Sequence, residues 1–272
     1  MDNTRGTVVI KIGTDPLGAR NQPPDAKVLA HMAHEIVALK KAGFAVAVVS
    51  SGAVGSGRGI VSEEELSGLA PIIQKQVWAA HGQTVLMEAW GAALKEVGLR
   101  AAQALWTRDD LNHDHKKQDA QNFMEATLAL PKSVPIINGN DTADSRELKE
   151  SDNDQLSGLI IENILMPRPV KLIIVTGVQG VYTQNPADHA DAELIPHIYF
   201  GDNRTIDTNG KSNGGTGGMG SKLNVAFRLA ELGVTTHIVS LESENPISDI
   251  VIRNKSVGTT IHPAVAHKAY AL

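Results

Sequence analysis

The chain contains no cysteine, which excludes disulfides, thiolate metal sites and cysteine nucleophiles. That absence fits a reducing cytoplasm, the location expected here. There is no basic block either. Twenty-five Lys and Arg against 30 Asp and Glu give a formal net charge of -5, spread along the chain. A nucleic-acid partner needs a clustered Lys/Arg face, so none is expected. No apolar run approaches the about 20 residues of a membrane span, so no membrane partner is expected. The N-terminus passes straight into a short apolar stretch at 7–12, which is neither the apolar region nor the cleavage site of a signal peptide. Of the ten histidines, none has the H-E-x-x-H or another metal-ligand spacing, so no protein-held metal is expected. A G-x-S-x-G elbow is missing, as is the G-x-G-x-x-G dinucleotide fingerprint.

What is present is an alternation of β-branched runs and helical patterns. Residues 8–10 and 45–49 read as buried strands. Between them Val28, Leu29, Met32, Ala33, Ile36 and Val37 recur at three-and-four spacing, a helical stripe closed by Gly43. Such a strand-helix-strand unit builds a parallel sheet. The alternation continues with helices over about 71–80 and 84–97, a strand near 99–105, a helix over 118–130 and a strand at 134–137. A helix over 153–165, a strand at 170–175, a helix over 219–232 and a strand at 235–239 follow. Two short β-like runs, 249–252 and 256–261, end the pattern. The expected fold is α/β, a three-layer α/β/α sandwich on a mostly parallel central sheet. All 272 residues form one domain in this reading. Its N-terminal lobe, about 1–165, takes one ligand, and its C-terminal lobe, about 166–272, another. Ligands of such sheets lie at the C-terminal strand ends.

Four segments there carry candidate chemistry. Lys11, with Gly13, follows the first strand and offers a compact cation beside a backbone that a ligand can approach. Residues 50–57, S-S-G-A-V-G-S-G, either present backbone N–H groups to an anion or form a tight turn. Residues 138–142, N-G-N-D-T, and 151–154, S-D-N-D, contain a turn signal and a capping-box pattern. Their density of short acidic and amide groups exceeds what those roles call for, and suits binding an ammonium group or orienting lysines. Residues 214–222, G-G-T-G-G-M-G-S-K, open an amphipathic helix. Ser precedes Lys, so this is not a P-loop, yet exposed N–H groups and a first-turn lysine suit a polyphosphate. The stretch 203–217, rich in Gly, Asn, Thr and Ser, reads as a mobile loop.

Taken in order, these segments resemble the amino-acid-kinase superfamily. The resemblance runs through residues 9–14, 50–54, 105–110, 134–141, 151–157, 180–183, 215–222 and 256–259, nearly the whole chain. It implies an ATP-dependent kinase that phosphorylates an amino-acid carboxylate, glutamate first, in the opening step of proline synthesis. It implies that Lys11 and Lys222 hold the phosphates and that Asp154 orients both. Ser51, Gly52, Asp141 and Asn153 would bind the amino acid. Thr176, Gly177 and the loop Thr216, Gly217, Gly218, Met219, Gly220, Ser221 and Lys222 would contact ATP, with Mg²⁺ bridging its phosphates. A homodimer or homotetramer, and a downstream reductase that takes the acyl phosphate, are implied partners. Three residues depart from the family pattern: Gly139 where members have Glu, Gly177 where they have Asp, and Asp15 where a small or hydroxyl residue is usual. The C-terminal RNA-modification-type domain of many members is not expected here. The alternatives are a kinase of this fold acting on another acid, and a non-catalytic homologue that binds nucleotide or amino acid.

Overall fold

A computed structural model describes residues 5–143, 153–202 and 218–264. In chain order the elements begin with β1 (Thr7–Ile12), α1 (Ala26–Lys41), β2 (Ala45–Ser50), α2 (Ala53–Arg58) and α3 (Pro71–Glu96). They continue with β3 (Arg100–Trp106), α4 (Arg108–Asn112), α5 (Asp114–Ala129), β4 (Ser133–Gly139) and α6 (Asn153–Ile160). After a π turn at Ile161–Leu165 come β5 (Val170–Val175), β6 (His197–Tyr199), α7 (Met219–Glu231), β7 (Thr235–Val239), α8 (Pro246–Val251) and β8 (Thr259–His262).

The strands form one eight-stranded sheet in the order β3-β4-β2-β1-β5-β7-β8-β6. From β3 to β7 all neighbours are parallel. Only β8 turns back against β7, and β6 runs parallel to β8. Every residue of β1, β2 and β4 is buried, as expected for strands covered on both faces. One apolar core lies between the sheet and α5, α6 and α7, through residues such as Met124, Ile160 and Leu229. The other lies under α1, α3 and α8, through Leu29, Leu86 and Ile247. This is the three-layer sandwich that the alternation predicts.

Local chemistry explains the boundaries. The Asp25 side chain accepts the Lys27 N–H at 2.7 Å and starts α1. Thr107 and Asp110 form a reciprocal capping box that starts α4. That short helix is absent from the sequence reading, and α5 begins four residues before the expected 118.

Two expectations are corrected. The two helices expected over 71–80 and 84–97 are one, α3, which continues through Gly82. At Gly82 a Cβ would stand 1.8 Å from the Ala53 carbonyl oxygen and 2.4 Å from the Gly57 nitrogen. The glycine is there for the close crossing of α2 over α3, not to end a helix. The β-like run at 249–252 falls largely in α8 and is helical. Pro246 sits at its first position, and the buried Glu35 carboxylate on α1 accepts the N–H groups of Ile247 and Ser248 at 3.1 and 2.9 Å and the Ser248 hydroxyl. A cap from 212 residues away leaves no local signal. The strand β6, of three residues, is too short for periodicity to reveal. The expected loop at 203–217 lies outside the described residues.

Glu35 is 1% exposed, so its removal leaves orphaned donors at the start of α8 inside the protein. Glu35→Ala is expected to lower the unfolding free energy by about 3 kcal/mol. Urea denaturation would read this as a lower midpoint at an unchanged slope.

Candidate active site

The parallel strands present their C-terminal ends at one edge, and the connections part between β1 and β5: from β1 the chain crosses to β2 on one side, and after β5 its next parallel strand, β7, lies on the other. The crevice at such a switch point is where open α/β sheets bind ligands. Lys11 is the fifth residue of β1, in register with Val49 on one side and Ile174 on the other. Its side chain rises on the face occupied by α6 and α7, the same face as Val9 two residues earlier. Asp154 lies in the first turn of α6 and is fully buried. Lys222 lies in the first turn of α7 and is 7% exposed.

These three meet. Lys11 Nζ is 2.6 Å from Asp154 Oδ1, and Lys222 Nζ donates to Asp154 Oδ2 at 3.1 Å. One carboxylate thus holds two ammonium groups that are 211 residues apart in sequence, each on its own oxygen. In a site shielded from water such charges act with little screening. Two cations tethered to one carboxylate can close on one anion.

Asn153 extends the cluster toward the other strands. Its side-chain amide donates to Ser51 Oγ at 2.9 Å, to Asn138 Oδ1 at 2.9 Å and to the Ser50 carbonyl at 3.3 Å. The ends of β2, β4 and α6 are thereby bonded through one residue. Gly52 caps α2 with φ +110°, and a Cβ there would press on that of Ala19 at 3.2 Å. The Asn138 amide in turn donates to Gln83 on α3 at 2.9 Å. Beside it a cavity of about 550 Å³ is lined by Gln83, Met87, Gln103, Gly139, Asn140 and Asp141, among others. It takes in Asp141 but neither lysine.

On the far side of β1, Thr176 follows β5 and its N–H is fixed by the Val239 carbonyl at 2.8 Å. Gly177 is exposed, with open space where a side chain would stand. Gly218 is the N-cap of α7, and Met219, Gly220 and Ser221 form its first turn, half-buried. Thr216 and Gly217 lie outside the described residues, as does Ser151 of the capping-box pattern. Asp154 itself serves the lysines. Of the expected set, the structure gathers Lys11, Asp154, Lys222, Asn153 and Ser51 into one bonded group. Asn138 and Gln83 join that network without having been singled out. Asn138 sat in a polar run that drew attention, whereas Gln83 had no motif and faces the site only because α3 crosses there.

A profile of the Amino acid kinase family matches residues 6–240. The chain is 35% identical over 260 residues to a glutamate 5-kinase of Trichlorobacter lovleyi, covering 94% of this chain and 67% of that one. It is 34% identical over 265 residues to a glutamate 5-kinase of Aliivibrio fischeri, covering 97% and 70%. With a glutamate 5-kinase of Chlorobaculum tepidum it shares 37% over 235 residues, 86% of this chain and 63% of that one. Among solved structures, UMP kinase from Bacillus anthracis superposes with a TM-score of 0.61 at 15% identity, over 94% of this chain and 96% of the other. That likeness is one of fold. No helix among the described residues is long and apolar enough to cross a membrane.

Replacing the shared carboxylate leaves two ammonium groups buried without it. Asp154→Asn is expected to destabilise the protein by about 3 kcal/mol, the scale of breaking a buried ion pair. In the double variant Lys11→Met/Asp154→Asn, part of that loss should return. Chemical denaturation of both variants checks this.

Proposed function

The chain belongs to the amino acid kinase family, and on that premise we propose that it transfers the γ-phosphoryl group of ATP to the side-chain carboxylate of glutamate. The observation that carries this reading is the pair of ammonium groups, Lys11 and Lys222, held on the one carboxylate of Asp154. Relatives named glutamate 5-kinase, at 34–35% identity over nearly the full chain, support the choice of substrate.

In the proposed reaction a carboxylate oxygen of glutamate attacks the γ-phosphorus. The bond from that phosphorus to the β,γ-bridging oxygen breaks, and its electron pair leaves with ADP. The product is an acyl phosphate. The nucleophile is already ionised, so no general base is required, and no histidine has to sit at the centre. What the reaction needs is alignment and positive charge around a spreading negative one. Lys11 and Lys222 would supply that charge, and Asp154 would hold them at fixed spacing. Ser51, Gly52, Asp141 and Asn153 would bind the amino acid. Asn153 adjoins Asp154 in sequence, so acceptor binding and phosphate binding would be set by one turn of α6. Thr176, Gly177 and residues 216–222 would contact the nucleotide.

Among the described residues no cluster of three or more His, Cys, Asp or Glu could hold a metal ion. The donors fit Mg²⁺ arriving on the phosphates of the nucleotide, where it would neutralise charge, better than a protein cage. An acyl phosphate hydrolyses readily, so a reductase that consumes it is the partner its chemistry calls for. Self-association into a dimer or tetramer belongs to the same reading.

The substrate is tested by ADP release from Mg·ATP with glutamate, aspartate, N-acetylglutamate or carbamate, hydroxylamine trapping any acyl phosphate. Glutamate-dependent turnover with a hydroxamate product is expected. Turnover on another acid alone would replace the substrate, and no turnover on any would end the kinase reading. Lys222→Ala is expected to lower turnover by about a hundredfold or more, the loss of a cationic transition-state contact worth about 3 kcal/mol. Near-normal rates in that variant would remove Lys222 from the chemistry.

A further inference from the structure

Far from the lysine pair, the last strands of the sheet carry a second cluster of functional side chains. β8 runs against β7 with Thr259 opposite Ile238 and Thr260 opposite His237. His262 therefore lies toward the end where the parallel strands begin, opposite the edge that holds Lys11 and Thr176. β6 pairs with β8 so that His197 stands against Thr260 and Tyr199 against His262. Alternation puts His197, Tyr199, Thr260 and His262 on one face of the sheet. There the two histidines face each other nitrogen to nitrogen: His197 Nδ1 is 3.1 Å from His262 Nε2.

We propose that His197 and His262 form a two-point chelate for a divalent transition metal ion, with Zn²⁺ as the representative. A metal bonded tetrahedrally to two imidazoles at about 2.0–2.1 Å holds their nitrogens roughly 3.3–3.4 Å apart. The observed 3.1 Å is that of a direct hydrogen bond, and a small rotation of the two rings, with the strands in place, would open it to that span. Hydrogen-bonded β6 and β8 fix the two backbones, and Tyr199 lies flat on the His262 ring, centroids 4.5 Å apart at an interplanar angle of 12°. The rings are thus oriented in advance, as good ligands are. Both histidines are half-buried, neither being fully enclosed, so part of each residue stays within reach of an ion from solvent.

The third histidine nearby, His237, is 7% exposed, with its Nδ1 paired to the Thr260 hydroxyl at 3.0 Å, and among the described residues it makes no three-ligand group with the other two. Two imidazoles and water select late transition metals over Mg²⁺, so this site would not compete for the ion carried by a nucleotide. In the metal-free pair one proton lies between the facing nitrogens. On binding, it moves to the outer nitrogen of the ring that carried it, and both facing lone pairs go to the metal. The ion would join the outermost strand of the sheet to its neighbour.

The test is a Zn²⁺ titration of the full chain, freed of metal, followed by calorimetry and thermal unfolding. One equivalent should bind, and the melting temperature should rise with Zn²⁺ concentration because only the folded strands present both rings. His197→Asn and His262→Asn should each weaken binding roughly tenfold or more, while His115→Asn, on an exposed side chain, should not. Zn²⁺ should also protect His197 and His262 of the unaltered protein from diethyl pyrocarbonate, read by mass spectrometry, which does not depend on any variant folding. Absence of binding, affinity in both variants unchanged from that of the unaltered protein, or no protection of these two rings would overturn the proposal.

Discussion

The grip of one buried carboxylate on two lysines is the constraint around which the rest is arranged. Asp154 is wholly enclosed, and a lone charge in such a place is prohibitive without partners. The lysines resolve that cost, and in doing so they are brought together. Each comes from a different kind of element: Lys11 from the central strand, Lys222 from the first turn of α7. The ion pairs therefore set how α6 and α7 stand on the sheet. Arg228, further along α7, repeats the tie by bonding Glu162 at 2.5 Å and Gln155 at 2.9 Å. Two helices linked at both ends keep the lysine spacing fixed before any ligand arrives, and preorganised charge of this kind is what phosphoryl transfer draws on.

The remainder of the fold supplies positions. Parallel strands buried on both faces end at a common edge, so short polar residues that follow them converge without long loops. Ser51, Asn138 and Lys11 occupy the ends of three adjacent strands, and Asn153 bonds two of them directly. The Trp90 indole donates to the Ser50 hydroxyl at 2.9 Å from α3, pinning the end of β2 from the opposite layer. Both layers hence hold the crevice, one by charge and the other by packing and a hydrogen bond.

Much of this was legible in the residues. The strand at 170–175 and that at 235–239 lie where periodicity put them, because buried parallel strands are continuous apolar runs. Lys11 stood out after the first strand and Lys222 in a glycine-rich helix start, whereas the tie of Asp154 to both was implied only by the family resemblance. What failed did so for physical reasons. The helices expected over 71–80 and 84–97 left a gap around Gly82, since a glycine's need for contact across a crossing is invisible in one dimension. Residues 249–252 looked like a strand because Ile250, Val251 and Ile252 are three successive β-branched apolar residues, a run too short to tell strand from helix, and the deciding cap, Glu35, sits in another helix. The three residues of β6 carry too little pattern to find, and with them went the pairing of His197 with His262.

By itself the sequence determined the layers, the order of the main elements and the short list of charged and amide groups that could meet at the strand ends. Those follow from local periodicity and from the few residue types that suit phosphate and ammonium binding. The tertiary structure alone decided which of them touch. Bonding between groups 211 residues apart depends on strand order and helix crossing, and these are set by the packing of the whole sheet, which no local stretch of chain encodes.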